Sequence, residues 1–182
     1  MNIEDKIPRK TDSNESFEDY YIRWPQCLSQ FPKCVIRQWA YDHNSVFLEK
    51  WSEYDLTNWQ FSLVNFSKDD LSKIDHFSNE RKEYIEKGIY WLENNGQSEL
   101  EDIDVVTYMI KHGTFPCPII VGINGGHLIH PKSRPGEMMV EPYQILEGHT
   151  RWATALAFLE KQPSGLLEKH EIWLVDLKLS RH

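Results

Sequence analysis

The sequence has few cysteines and lacks the long apolar runs that a membrane protein needs. No window approaches about 18 consecutive apolar residues, and the opening segment MNIEDKIPRKTDSNES contains no apolar signal-peptide core, so neither membrane insertion nor export is indicated. The 3 cysteines, Cys27, Cys34 and Cys117, are odd in number and too widely spaced for a disulfide framework or a zinc site. We therefore expect a cytoplasmic protein whose thiols are reduced and buried.

Basic side chains are also scarce. Lys and Arg total 20 against 28 Asp and Glu, which gives a formal net charge of −8 at pH 7. Since contacts between basic side chains and phosphates supply most of the non-specific affinity for nucleic acid, this balance weighs against a protein dedicated to duplex DNA. By contrast, 40% of the 182 residues are hydrophobic and 13% are aromatic, enough to bury a full core. We expect one globular domain with an extension.

The aromatic residues are concentrated in the N-terminal half. Residues 1–18 are polar and show little periodicity, and we predict a flexible arm there. Residues 19–98 form a predicted N-terminal extension with a dense aromatic segment that includes Trp24, Trp39 and Trp51. Such rings more often fill a core, but a partner-binding face and a base-stacking surface are alternatives that the sequence leaves open. A protein partner bound through this extension is therefore one hypothesis.

Local signals in the extension predict a strand and two helices. The segment WQFSLVNF, residues 59–66, alternates in places as a strand does. Ser67 is suited to cap a short helix directly after it, reaching about His76. A second helix is predicted from about Ser78 to a stop at Asn94, because its apolar residues recur at helical spacing.

A third helix and a buried strand follow. Ser98 and Glu101 form a capping-box pair, and we expect their helix to end at Gly113 in a left-handed turn. The apolar run Pro118–Val121 then predicts a buried strand. Asn124–Gly126 are typical of a hairpin turn, so we expect the chain to return as a second strand.

The predicted returning strand is GHLIH, residues 126–130, and the segment PKSRPGE that follows it predicts a loop. His127 and His130 are spaced by two residues, but no carboxylate or cysteine stands near them in the sequence. Because zinc sites need three or four such ligands, we assign no metal to this pair.

The segment YQILEGHTRWATALAFLE, residues 143–160, predicts a strand that runs through Gly148 directly into a helix. Gly148 allows a sharp turn and a close approach to the backbone, while the unpaired N–H groups of the first helical turn attract anions. Thr150 and Arg151 add a hydroxyl and a planar charged group, and Glu147 is suited to hold a metal-bound water, orient Arg151 or accept a proton. The alternative is structural: a turn, a helix cap and a solvated arginine.

Two separated blocks of the sequence carry a resemblance to a known fold family. In HGTFPCPIIVG, residues 112–122, a helix ends in glycine and leads through proline into a buried strand. In ILEGHTRWATALAF, residues 145–158, a strand is followed by glycine, polar or basic residues, an arginine and an alanine-rich helix. With the closing apolar strand EIWLVDLKL, residues 171–179, these blocks resemble the ParB-like and sulfiredoxin fold family in order and spacing.

The resemblance implies an α/β (α+β) core over residues 99–182, in which helices flank a small mixed β-sheet. The second of the two blocks is implied to bind the phosphates of a nucleotide. ATP or CTP with Mg²⁺ is the implied ligand. The residues implied to form the phosphate-gripping turn are Gly148, His149, Thr150 and Arg151. Glu147 corresponds to an acidic position of the kinase-like members and is the candidate for activating a hydroxyl. The residues implied to lie near the nucleotide are Thr114, Pro116 and Pro118.

The sequence departs from the family pattern at three points. Sulfiredoxins have a cysteine within the turn, where this chain has His149 and Thr150, so their thiol chemistry is not expected. Partition proteins continue into a helix-turn-helix that reads DNA, whereas only three residues follow Leu179 in this sequence. Partition proteins also tend to have two adjacent arginines in the turn, and Thr150 in place of one weakens the expected grip on a triphosphate.

Three function classes follow from these features. The first is a nucleotide phosphate-binding protein that acts as an NTPase or a small-molecule kinase, with Glu147 as the base or metal contact. The second is a non-catalytic partner-binding or regulatory protein of the plasmid or phage type. The third is a ParB-like nuclease, which the acidic net charge makes the least favoured of the three.

Overall fold

The computed structural model describes residues 7–77, 80–94, 103–133 and 136–178. Within these ranges the protein is a mixed α/β fold, with five strands in one sheet and seven helices, which confirms the predicted class. The strands are β1 (Gln60–Ser67), β2 (Ile74–Asp75), β3 (Ile119–Ile123), β4 (Tyr143–Glu147) and β5 (Lys169–Asp176). Their order across the sheet is β1-β5-β3-β4-β2, with β1–β5 and β3–β4 antiparallel and β3–β5 and β2–β4 parallel.

The helices precede, interrupt and follow the strands. They are α1 (Phe17–Ile22), α2 (Lys33–Val35, continuing as a π-helix over Ile36–Tyr41), α3 (Asn44–Trp51), α4 (Lys68–Ser72), α5 (Arg81–Glu93), α6 (Ile103–His112) and α7 (His149–Lys161). No helix in the described ranges is long and apolar enough to cross a membrane.

Both faces of the sheet are covered, because its central strands are apolar on both sides. Ile119 and Val121 of β3 pack in one cluster with Trp152 of α7 and with residues of α4 and α6. Ile120, which points to the opposite face, packs in a second cluster with the aromatic N-terminal segment. The central strands thus lie between two layers of helices, and this matches the continuous apolar run that predicted a buried strand.

The aromatic N-terminal segment is the core of one layer. Trp39, Trp51 and Trp59 are all buried, and the Trp39 ring lies 5.0 Å from that of Trp51 and 5.9 Å from that of Trp59. Ile7, within the predicted flexible arm, is 3% exposed and belongs to the same cluster. These rings therefore fill a core. A partner of the extension would have to contact other side chains, such as Trp24, which is only partly buried.

Several predicted elements are confirmed where local chemistry determined them. The strand predicted over 59–66 is β1, and Ser67 caps α4 in a capping box with Asp70, although that helix ends at Ser72. Gly113 has φ +65° and ends α6 as expected. The capping pair predicted at Ser98 and Glu101 lies outside the described residues.

The sheet joins segments that the sequence analysis assigned to different regions. β1 and β2 come from the predicted N-terminal extension, yet β1 pairs with β5 along eight residues and β2 pairs with β4. The extension therefore contributes both edge strands to the sheet of the C-terminal region.

The predicted returning strand GHLIH is wrong. In its place the structure has a turn closed by the hydrogen bond from Leu128 N to Gly125 O, and a single bridge between Ile129 and Met138. The reason is topological: β3 already has β5 on one side and β4 on the other, so no edge is free for a hairpin partner.

Helix α7 is buried between the sheet and α5. Its residues 151–158 are all buried, and α5 crosses it at Gly88. A Cβ atom added at Gly88 would lie 2.2 Å from the carbonyl oxygen of Ala153, which is far below any real contact. The absence of a side chain at Gly88 therefore sets how closely α5 approaches α7.

We predict that Gly88→Ala destabilises the protein by about 1–3 kcal/mol, because α5 must move away from α7 to admit the methyl group. Helix propensity alone predicts the opposite sign, a gain of about 1 kcal/mol. Urea unfolding at 25 °C distinguishes the two, with Lys82→Ala at an exposed position of the same helix as the control. An unchanged or raised stability of Gly88→Ala would show that the close crossing is not required.

Candidate functional site

The predicted strand, glycine and helix are present as β4, Gly148 and α7. Gly148 has φ +94°, a left-handed conformation that side chains rarely adopt, and it serves as the N-cap of α7. A Cβ at this position would lie 2.7 Å from Ile119 Cγ2 and 2.9 Å from Arg151 Nη2. No side chain caps the N-terminus of α7. The turn therefore needs glycine both for its backbone angle and for the space that Arg151 occupies.

Arg151 is the central side chain of this turn and is only 7% exposed. Its Nη1 donates to Gln38 Oε1 at 2.7 Å, to the carbonyl oxygens of Cys117 at 2.8 Å and Pro118 at 3.1 Å, and lies 2.7 Å from Cys117 Sγ. All of these acceptors are neutral in their ordinary protonation states. Within the described ranges no carboxylate lies within 4.0 Å of Arg151 to compensate its charge. The arginine is therefore a buried cation rather than the solvated one of the structural alternative.

A cavity of about 550 Å³ opens beside this turn, and we call it the turn cavity. Besides residues 147–151 it is lined by side chains from four other segments, among them Gln38, His43, Trp51, Cys117 and Lys132. Sequence reasoning did not connect these residues with the turn: Gln38 is 113 positions from Arg151, and only the folding of α2 against α7 brings them together. No local pattern signals such a contact.

Two residues of the cavity lining carry a buried polar nitrogen that has no acceptor. The side-chain nitrogen of Gln38, Nε2, and the indole nitrogen of Trp51, Nε1, are both inaccessible and without a hydrogen-bond partner. A buried donor that lacks an acceptor costs roughly 1–3 kcal/mol. The protein therefore leaves two polar nitrogens unsatisfied in the residues around this buried guanidinium.

Glu147 and His43 face each other at the same cavity. The distance between Glu147 Oε1 and His43 Nε2 is 3.6 Å, and the Glu147 side chain is 15% exposed. His43 precedes α3 and its side chain is largely exposed. A carboxylate that is accessible and close to an imidazole is placed to exchange protons with a bound molecule.

His149 contributes no positive charge to the first turn of α7. Burial, together with nearby Lys132, His76 and Arg151, holds the pKa of His149 well below its usual range. Its ring lies 5.1 Å from that of His76, which in turn lies 5.3 Å from that of His130. Of the two basic side chains in the first turn of α7, His149 and Arg151, only Arg151 therefore carries a charge.

His76 and His130 are buried and are also held neutral. Burial lowers the pKa of His76 to about 4, although the Glu80 carboxylate lies 3.1 Å from its Nδ1. Burial lowers the pKa of His130 to about 2, and His76 and Lys132 add to that effect. His130 Nδ1 accepts from the backbone N–H of Lys132 and its ring stacks on Phe77 at 4.0 Å. These histidines act as polar core residues.

The three predicted residues of the first block are placed differently from one another. Thr114 Oγ1 lies 3.1 Å from Nδ1 of His170, at the start of β5. Thr114 and Pro116 lie outside the set of described residues that line the turn cavity, whereas Pro118 contacts Arg151 through its carbonyl oxygen. Cys117, which lies within the same predicted segment, lines the cavity.

The prediction of buried thiols is wrong. Cys27, Cys34 and Cys117 are all exposed, and all three are free. The sequence could not indicate this, because each cysteine lies at a helix or loop position whose orientation depends on the packing of the N-terminal layer. In the described part of the chain no group of three or more His, Cys, Asp or Glu side chains is placed to hold a metal ion.

No family model, no curated protein and no solved structure matches this chain. The resemblance to the ParB-like and sulfiredoxin fold therefore stays a prediction. The case for a function rests on the geometry and charge of the turn cavity.

We predict that acid destabilises the protein well before its carboxylates titrate. Consider a histidine that stays neutral in the fold but has an ordinary pKa near 6.5 in the unfolded chain. Such a residue lowers the free energy of unfolding by about 2 kcal/mol as the pH falls from 7 to 5. The folded pKa is depressed, so this stability is present above pH 6.5 and is lost as the pH falls. His76, His130 and His149 should each contribute, because unfolded Asp and Glu titrate only near 3.9 to 4.3.

Urea unfolding at pH 7, 6 and 5 tests this expectation. His76→Gln should reduce the loss between pH 7 and pH 5 by about 2 kcal/mol, since it removes one buried titrating group. His112→Gln, at an exposed position, is the matched control and should leave the loss unchanged. Equal losses in wild type and His76→Gln would contradict the assignment of a neutral buried imidazole.

Proposed function

We propose that the protein binds the phosphate groups of a nucleotide, ATP or CTP with Mg²⁺, in the turn cavity. The observation that carries this proposal is the buried Arg151 guanidinium, which no carboxylate neutralises within the described ranges. Its Nη1 is engaged by protein acceptors, so Nη2, beside Gly148, is the part of the guanidinium left for a ligand. The N-terminus of α7 points its dipole at the same place.

Phosphate is favoured over other acceptors by the kinds of groups that converge here. The turn cavity combines a planar guanidinium and the ammonium group of Lys132 with the N-terminus of α7, which no side chain caps. A polyphosphate presents several charged acceptor oxygens at once, which a single carboxylate does not. The order of strand, glycine and helix in the ParB-like and sulfiredoxin family supports the same assignment.

We further propose that Glu147 acts as the general base in an NTPase or small-molecule kinase reaction. Its carboxylate would take the proton from the attacking hydroxyl or water as the phosphoryl group transfers, and His43 at 3.6 Å would receive or stabilise that proton. Mg²⁺ would be held chiefly by the phosphates. Binding without turnover would instead define a regulatory module, and the net charge of −8 gives the nuclease alternative no support.

We expect Arg151→Ala to weaken nucleotide binding by roughly 10- to 150-fold, because a charge-assisted hydrogen bond contributes about 1.5–3 kcal/mol. Calorimetric titration of ATP, CTP and inorganic tripolyphosphate, each with Mg²⁺, measures this effect. Lys132→Ala tests the same site at an exposed residue, and should weaken binding several-fold. Lys161→Ala, at the far end of α7, is the matched control.

Arg151 also joins the turn to α2 and β3, so its variant is compared with wild type by circular dichroism before titration. A folded Arg151→Ala that binds all three ligands like wild type would refute the proposed site. So would wild-type protein that binds none of the ligands.

Glu147→Gln should leave nucleotide affinity within about 3-fold of wild type while lowering turnover by about 10²- to 10⁴-fold, since it removes proton transfer but keeps the shape. Turnover is measured as the release of ADP or CDP, detected by a coupled assay in the presence of Mg²⁺. His112→Gln, on a distant surface, serves as the control. Unchanged turnover in Glu147→Gln would exclude Glu147 as the base.

A further inference from the structure

A second concave surface adjoins the turn on the side away from the N-terminal layer. This groove, of about 670 Å³, is formed by α5 together with the first two residues of α7, and we call it the α5 groove. Its walls include the aromatic side chains Tyr84, Tyr90 and Trp91 and the carboxylates of Glu83 and Glu86. Tyr90 is 54% exposed, so its ring is available to a bound molecule.

The α5 groove and the turn cavity meet at the start of α7, since His149 and Thr150 line both of them. A ligand that fills both spaces would therefore lie across these two residues. His149 Nε2 is inaccessible and has no hydrogen-bond partner, so the boundary between the two spaces also contains an unsatisfied polar atom. The two spaces differ in character, because the turn cavity contains the buried Arg151, whereas three aromatic rings line the groove together with two carboxylates and Lys87.

The chemistry of the α5 groove favours a flat ring that carries hydrogen-bond donors. Aromatic side chains stack on nucleobases of any sequence through their π-faces. The carboxylates of Glu83 and Glu86 accept hydrogen bonds but donate none, which suits the exocyclic amino group of adenine or cytosine. Burial, with Glu80, Glu83 and Glu147 nearby, raises the pKa of Tyr84 to about 12, so its hydroxyl remains a donor.

We propose that the α5 groove is the nucleobase subsite of the nucleotide whose phosphates occupy the turn cavity. This inference rests on the proposed function and adds a specificity: the ligand is a nucleotide with an amino-bearing base, and Tyr90 and Trp91 form the stacking surface. Helix α5 then has a binding role beyond its packing against α7, and Gly88 sets the distance between the base and the phosphates.

The experiment separates the base from the phosphates by comparing ATP with inorganic tripolyphosphate, both with Mg²⁺, in calorimetric titrations. Wild type should bind ATP more tightly than tripolyphosphate and more tightly than ITP, whose base lacks the amino group. Trp91→Ala and Tyr90→Ala should each weaken ATP binding by roughly 5- to 150-fold and leave tripolyphosphate binding unchanged. Tyr108→Ala, which removes an exposed ring on α6, is the matched control.

The outcomes distinguish failure of the subsite from failure of the proposed function. Equal affinity of wild type for ATP, ITP and tripolyphosphate would overturn the subsite while leaving the phosphate site intact, and it needs no variant to fold. Variants that weaken ATP and tripolyphosphate equally, or neither, would also overturn it. If wild type binds none of the three ligands, the proposed function fails and the subsite fails with it.

Discussion

The guanidinium of Arg151 is the contact on which the arrangement around the turn depends. It joins three segments that are far apart in the sequence: the side chain of Gln38 on α2, the carbonyl oxygens of Cys117 and Pro118 before β3, and the start of α7. A carboxylate partner would have held these segments equally well and would have cancelled the charge. Because the acceptors are neutral, the contact organises the fold and leaves the guanidinium without a direct counter-charge.

The second constraint is the close packing around the start of α7. Residues 151–158 are buried between the sheet and α5, Gly148 has no room for a side chain, and Gly88 lets α5 pack directly on the Ala153 carbonyl. This packing fixes the position of the N-terminal N–H groups of α7 relative to the sheet. A site held rigidly in advance loses less conformational entropy on binding, which is the physical advantage of building it on a core helix.

Features that depend on interactions between near neighbours in the sequence could be predicted, whereas features that depend on tertiary contacts could not. β1, the Ser67 cap, the Gly113 stop and the succession of β4, Gly148 and α7 depend on neighbours within a few residues, and all were predictable. The missing returning strand depended on which strands flank β3, and the exposure of the cysteines depended on how the N-terminal layer packs. Gln38, Trp51 and Lys132 join the site only through the tertiary fold, so no local pattern could identify them.

The charge balance of the turn cavity favours one form of the proposed ligand over another. His149 is neutral, so the positive charges at the cavity are those of Arg151 and Lys132, and Asp42 and Glu147 line the same space with two negative charges. The formal sum of these four side chains is zero. A triphosphate without a metal ion carries several negative charges and would meet no net attraction beyond the helix dipole. A divalent ion bound to the phosphates would cancel most of that charge and would lie opposite the two carboxylates. The proposed nucleotide would therefore enter this cavity more favourably with Mg²⁺ on its phosphates than without it.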